Sequence, residues 1–536
     1  MILGALLNNR MNQTASTWMH CASGVFARKA RCVGLSALLV GSLLTAILVF
    51  NERGSPLWVH LQHVSARTKD SPPPPKMPLA RLLTPEEQAR GVTYYGSGSR
   101  LRRMAGKLLA GRPITAVALG GSVTYGHGVD DASQAYPALF FALLNASFPH
   151  RDHVLLNRGL PGATSQVTAP CVHSMVPPAA DLVVVEFSTN DSPSAWTTRG
   201  KGAYEGLLRS LLALPGAPAV VLLHHFPWFK AAGDGRSAGL FYREPEGQLT
   251  LLSQYYDTPS VSLRSAAWRL MQAGIEGFKV DGTILEGNRD ATTGEPIPAA
   301  EPGRSEDYLY LDTIHPGPNG HRALAELLGG LLSRAVGEAS QGPALAARRH
   351  PRLQGLPPPM IPSLQESVPS LCAQLADFRA MVVAQRGFAY RPERPQLARF
   401  EEQKWGWASE QPGSWLEIEV DTRPRPKQPL GGSNRSLADA QAAVLVGHLR
   451  SYNGMGVAAV ACRSGCSCKP STVDGTSASR ASVLIIHSFK VSQHRHCRFR
   501  VTVLREPGAT PQEGHKVMLA AVMVVHTPRE QSWSQQ

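Results

Sequence analysis

Ala180-Asp-Leu-Val-Val-Val-Glu-Phe-Ser-Thr-Asn190-Asp191 is a nearly unbroken apolar run that ends abruptly in four polar residues. A strand apolar on both faces must be covered on both faces, which is the situation of a strand inside a parallel sheet. Similar runs occur at 114–119, 153–156, 219–223 and 261–263, with helical periodicity between or after them at 136–148, 204–214, 265–273 and 319–335. Thr84-Pro-Glu-Glu87 carries the cap and first-turn residues of a further helix. Alternating apolar strands and helices predict an α/β domain over 91–340. In such a fold, ligand sites gather at the carboxyl ends of the strands.

The strand ends are where the chemistry lies. The first run leads into Gly120-Gly121-Ser122-Val-Thr-Tyr-Gly126, and the second into Asn157-Arg-Gly159-Leu-Pro-Gly162. The third ends in Asn190-Asp191, and Asp312-Thr-Ile-His315-Pro-Gly-Pro-Asn-Gly-His321 precedes the last helix. A serine hydroxyl becomes a useful nucleophile when an imidazole takes its proton, and the imidazole needs a carboxylate to fix its tautomer. An Asp three residues before a His lets one turn present both.

In this order and at these separations, the four blocks resemble the SGNH (GDSL-like) hydrolase superfamily, over about 250 of the 536 residues. The form resembled is a plant-, algal- or fungal-type member, membrane-anchored and with a C-terminal β-rich domain. The resemblance implies a flavodoxin-like three-layer α/β/α sandwich and metal-free, cofactor-free ester hydrolysis. Ser122 would be the nucleophile, His315 the base and Asp312 its orienting carboxylate. The oxyanion donors would be the Ser122 N–H, Gly162 and the Asn190 side chain. Where the family has Gly-Asp-Ser this chain has Gly-Gly-Ser, so position 121 supplies no side chain to brace the turn. In block two Gly162 is favoured over Gly159, because it stands just before the Ala-Thr-Ser that opens a helix. Asp191 is expected to hydrogen-bond the block-one loop, and His224-His225 to serve as packing or pocket wall rather than as a metal pair.

Competing motifs fail on context. Gly235-Arg-Ser237-Ala-Gly239 has the spacing of a nucleophile elbow, but no buried strand precedes it. The chain contains neither an Asp-x-Asp, which weakens a metal-dependent glycosyltransferase, nor a phosphate-binding loop. The formal charge of +14 is spread over scattered Arg and Lys with no basic helix, which argues against nucleic acid as a partner.

Outside this domain, composition sets the expectations. Residues 33–50 are 18 uncharged, largely apolar residues preceded by Arg28, Lys29 and Arg31, which predicts one membrane-spanning helix with residues 1–32 in the cytoplasm. A cleaved signal or an organelle transit peptide is the alternative, leaving the chain secreted or organelle-targeted. Residues 51–90, with Ser71-Pro-Pro-Pro-Pro75, read as a stem, and 341–370 as a Pro- and Arg-rich linker. From 371 to 527 short alternating runs predict a β-sandwich-like domain. Cys462, Cys466, Cys468 and Cys497 are expected in disulfides rather than on zinc in an oxidising compartment, with three pairings possible; Cys171 and Cys372 would be free to bridge the two domains. Asn145-Ala-Ser and Asn434-Arg-Ser become glycosylation acceptors in that topology. The combined expectation is a single-pass type II membrane protein of the Golgi, secretory pathway or cell surface that hydrolyses an acylated carbohydrate or other ester. A glycan O-acyltransferase and an inactive glycan-binding protein are the rivals.

Overall fold

The computed structural model describes residues 33–39, 42–50, 56–57, 82–191, 199–229, 241, 245–290, 293–341, 355–361, 364, 368–395, 404–424, 441–478 and 481–527. The chain forms two compact units, Met1–Leu79 and Ala80–Gln536. In the first, β1 (Val33–Leu39) and β2 (Ser42–Phe50) pair antiparallel, and β3 (Pro56–Leu57) adds to β2. The single spanning helix expected over 33–50 is therefore not formed. Val33, Thr45, Ile47 and Val49 are β-branched residues suited to strands. No helix among the described residues is long and apolar enough to cross a membrane. Asn434 and the Gly235–Gly239 motif lie outside the described residues.

The second unit begins with the helix Pro85–Gly91, closed by the reciprocal bonds of a capping box: Glu87 N–H to Thr84 Oγ1 at 3.2 Å and Thr84 N–H to Glu87 Oε2 at 2.8 Å. Six strands then form one sheet: β4 (Val92–Tyr94), β5 (Thr115–Gly120), β6 (Val154–Gly159), β7 (Leu182–Glu186), β8 (Ala219–His224) and β9 (Ser260–Ser262), in the order β4-β9-β8-β7-β5-β6. All neighbours are parallel except the short edge strand β4, which is antiparallel to β9. The two-residue alternation of the strands divides their side chains between two cores. Ala116, Leu182, Val184, Val221 and Leu223 pack under the helices Ser99–Leu109, Tyr136–Ser147, Leu263–Gln272 and Pro318–Ser340. Val117, Leu119, Val183, Val185 and Leu222 pack against Arg199–Leu212 and Pro245–Tyr256. Helices therefore cover both faces, and the expected α/β architecture is present.

The C-terminal part is β-rich. One antiparallel sheet runs Ala389–Pro392, Trp405–Ser409, Val517–Thr527, Gln441–Arg450, Val483–Val491, with Val368–Gln374 also paired to Val517–Thr527. The other runs Val382–Arg386, Trp415–Val420, Cys497–Val503, Val457–Ser464, Ser471–Asp474. Leu416, Ile418, Val444, Val446, Val460, Phe499, Val501 and Val522 share one core contributed by both sheets.

The Cys pairs are Cys462–Cys468, Cys466–Cys497 and Cys171–Cys372. The last joins the α/β and β-rich parts across a sequence separation of 201. The 341–370 segment is not a free tether where it is described: the Glu205 carboxylate accepts the N–H of Ile361 at 3.0 Å, and Arg209 donates to the Pro357 carbonyl at 2.6 Å.

Candidate active site

β5, β6 and β7 end side by side, and each hands its chain to a loop carrying one expected residue. After β5 the chain turns at Gly120-Gly121 and enters the four-residue helix Ser122–Tyr125. Tyr125 N–H bonds the Gly121 carbonyl at 3.0 Å and Gly126 N–H the Ser122 carbonyl at 3.0 Å, so the nucleophile's backbone is held on both sides. The fourth block forms a closed turn before the helix Pro318–Ser340, with Leu311 N–H on the His315 carbonyl at 2.9 Å.

These elements bring three side chains into one chain of hydrogen bonds. Ser122 Oγ lies 2.8 Å from His315 Nε2, and His315 Nδ1 lies 2.8 and 3.0 Å from the two Asp312 oxygens. Asp312 Oδ1 also accepts the backbone N–H groups of Ile314 at 2.7 Å and His315 at 2.8 Å, which lock the carboxylate onto its own turn. With Nδ1–H on Asp312, Nε2 is the lone pair that faces the serine hydroxyl.

Burial pushes His315 down to about 4; Asp312 opposes the shift, and His127 and Lys404 add to it. The ring is neutral at pH 7, the state needed to receive a proton. Burial alone would raise Asp312, but the His315 and His127 imidazoles hold it well below the usual carboxylate range. His127, Asp312 and His315 have donor atoms within 4.8 Å of one another, a metal-like cluster among the described residues. The hydrogen bonds of the serine relay account for it: both ring nitrogens of His315 and the carboxylate are already engaged.

The expected oxyanion donors sit at the same place. Asn190 Nδ2 donates to the Ala163 carbonyl at 2.8 Å, and an amide nitrogen has a second hydrogen to give. The Asn190 nitrogen fills the space that a side chain at position 121 would take. Gly121 is thus no loss of bracing, because its bare Cα is what admits the Asn190 amide to the nucleophile turn. Of the two block-two glycines, Gly159 spends its N–H on Asn157 Oδ1 at 2.9 Å. The Gly162 N–H has no acceptor among the described residues, and at φ +76° the position favours glycine.

Asp191 departs from expectation, since it accepts the Ser165 N–H of block two at 2.8 Å rather than bracing block one. His224 and His225 are buried, and burial pushes both down to about 3; His225 donates from Nε2 to the Ile314 carbonyl at 2.9 Å and so supports the His315 turn.

No local pattern foretells that the β-rich part meets this loop. Leu484 N–H bonds the Gly162 carbonyl at 2.7 Å, and Thr164 Oγ1 donates to the Leu484 carbonyl at 2.9 Å. A methyl group on Gly162 would stand 2.8 Å from Lys404 Cε, whose ammonium is paired with Glu393 at 3.0 Å. Ser482 also donates to Glu393, at 3.1 Å. Lys404 and Leu484 are more than 200 residues from the loop they touch, and no local pattern marks them.

Residues 118–323 match the sequence model of the GDSL-like Lipase/Acylhydrolase family. No curated protein sequence matches the chain. Among solved structures, a two-domain esterase active on acetylated mannans is similar at TM-score 0.51 and 18% identity, covering 82% of this chain and 99% of its own. The same enzyme crystallised with mannopentaose gives 0.51 at 19% identity, covering 83% and 99%. A possible lipase from Chitinophaga pinensis covers 41% of this chain and 98% of its own, at TM-score 0.30 and 17% identity. At these identities the first two are likenesses of fold, and they extend over both the α/β and the β-rich parts. Residues 118–323, the stretch similar to the GDSL-like lipase/acylhydrolase family, hold the Ser122, Asp312 and His315 relay.

Proposed function

We propose that this protein is a serine esterase that removes acyl groups from O-acylated glycans. The observation that carries the reading is the unbroken relay from Ser122 Oγ through His315 to Asp312, with 2.8 Å at both links. His315 Nε2 takes the hydroxyl proton as Oγ bonds to the ester carbonyl carbon. The oxyanion so formed is received by the Ser122 and Gly162 N–H groups and the Asn190 amide, donors that are fixed before charge appears. His315 returns the proton to the departing sugar oxygen, leaving acyl-Ser122. Water, deprotonated by the same imidazole, then releases the acid and restores the serine.

The glycan part of the proposal draws on the fold likeness to an esterase active on acetylated mannans. The β-rich part also stands against the loop of Gly162. The three disulfides among the described residues suit an oxidising compartment and support a reading in which the chain works in the secretory pathway or at the cell surface.

A fluorophosphonate probe should label Ser122 in the intact chain and leave Ser122→Ala unlabelled, and the intact chain should release acetate from acetylated polysaccharides. An unlabelled wild-type chain that releases no acid refutes the esterase reading. Transfer of the acyl group to an added sugar in place of release would show acyl transfer instead.

A further inference from the structure

One imidazole stands between the two catalytic turns without a part in the steps above. His127 follows the Ser122–Tyr125 helix by two residues and donates its N–H to the Ser122 carbonyl at 2.9 Å. Its own carbonyl accepts from His321 Nε2 at 3.0 Å. Its Nε2 faces Asp312 Oδ2 at 3.7 Å, and its ring centroid is 3.7 Å from that of His315, at an interplanar angle of 34°. The next residue, Gly128, packs so closely on the Pro316 carbonyl that no side chain fits there. The backbone that carries the nucleophile is thereby pressed against the turn that carries the base.

Asp312 Oδ1 is occupied by two backbone donors, whereas Oδ2 is held by His315 Nδ1 and faces His127. Backbone donors fix only Oδ1, so the carboxylate can swing Oδ2 together with the imidazole bonded to it, and such a swing carries the His315 ring away from Ser122. Resting on the esterase reading, we propose that His127 is a positioning residue for ester cleavage. It is a second imidazole that holds the Asp312 carboxylate and the face of the His315 ring in the orientation that receives the Ser122 proton. The 3.7 Å approach is long for a hydrogen bond, but catalytic hydrogen bonds in unliganded sites are often long and tighten when substrate binds. Simple packing would be served equally well by any ring of similar size. The nitrogen directed at Asp312 is what packing does not require.

His127 also bears on the basicity of His315. The groups facing this pair of rings are Asp312 on the turn of His315, His321 from the helix Pro318–Ser340, His225 at the end of β8, and Lys404 from the β-rich part. His127 lowers the basicity of His315, so its removal should move the acid limb of the pH profile upward.

The test uses the full chain with His127→Phe and His127→Gln, following kcat, KM, the pH dependence of kcat/KM and the rate of fluorophosphonate labelling. Phe keeps a ring but offers no donor. It should lower kcat and labelling by about ten- to a hundredfold, the worth of one hydrogen bond to a charged group, with KM little changed. Gln retains an N–H and should recover most of kcat while its acid limb still moves up. A Phe variant with wild-type kcat and acid limb overturns the proposal. If thermal unfolding shows the Phe variant misfolded, the Gln variant decides, and an unmoved acid limb in the folded Gln variant overturns it. A wild-type chain that is neither labelled nor active refutes the esterase reading itself. A normal wild-type with unaffected variants refutes only the role of His127.

Discussion

Replacing Gly121 by Ala should disable the site without straining the backbone. Gly121 has φ −89°, which any residue can adopt, so the effect is steric alone. The added methyl would meet the Asn190 amide nitrogen well inside the 3.0 Å below which Cβ contacts essentially never fall, with the Ala163 carbonyl 3.4 Å away on another side. The amide must retreat by roughly 0.7 Å, and misplacement of about 1 Å can cost on the order of a hundredfold in rate. Asn190 also bonds the Ala163 carbonyl, so its retreat disturbs the loop of Gly162 as well. Losing one oxyanion donor costs about 10²–10³ in kcat, or about 3–4 kcal/mol of barrier. Steady-state hydrolysis of p-nitrophenyl acetate, with thermal unfolding as a control, measures this directly. A folded Gly121→Ala protein with wild-type kcat would refute the assignment of Asn190 as a donor. It would also refute the steric reading of the Gly-Gly-Ser turn.

Three further outcomes follow from charge and covalent structure. Because burial brings His315 to about 4, kcat/KM should stay high well below pH 6.5 and fail only as the ring gains its proton. Lys404 contributes to that lowering, so Lys404→Met should shift the acid limb to higher pH, and a profile identical to wild type would contradict its influence on the base. Removing the Cys171–Cys372 bridge by Cys171→Ala with Cys372→Ala should lower stability in urea by up to about 5 kcal/mol in the chain-entropy account, given the separation of 201 residues. An unchanged urea midpoint would show that the noncovalent contacts around Gly162 suffice to hold the two parts together.

Local sequence was enough wherever function depends on neighbours along the chain. The runs at 114–119 and 182–187 are strands because both of their faces are apolar, and the residues that follow them fall at the sheet's carboxyl edge for the same reason. Ser122 and Asn190 follow these strands and were legible as strand-end residues, Asp312 and His315 stand before the last helix and were singled out by the family resemblance, and the structure brings the four together. Residues 33–50 misled because an apolar run of this length suits one helix or two paired strands, and only partners distinguish them. The cap on Gly162 was unreadable, since Leu484 and Lys404 acquire meaning only when a distant strand is folded against the loop. His127 stands one residue beyond the Gly120–Gly126 stretch, and its relation to Asp312 depends on how two turns meet, which local sequence does not disclose.

The bond from Leu484 to the Gly162 carbonyl also sets an order of events during synthesis. A ribosome delivers the reactive alcohol hundreds of residues before it delivers the strand that fastens the oxyanion loop. The nascent chain therefore carries its nucleophile early, while the Gly162 carbonyl stays without its Leu484 partner until that strand has emerged.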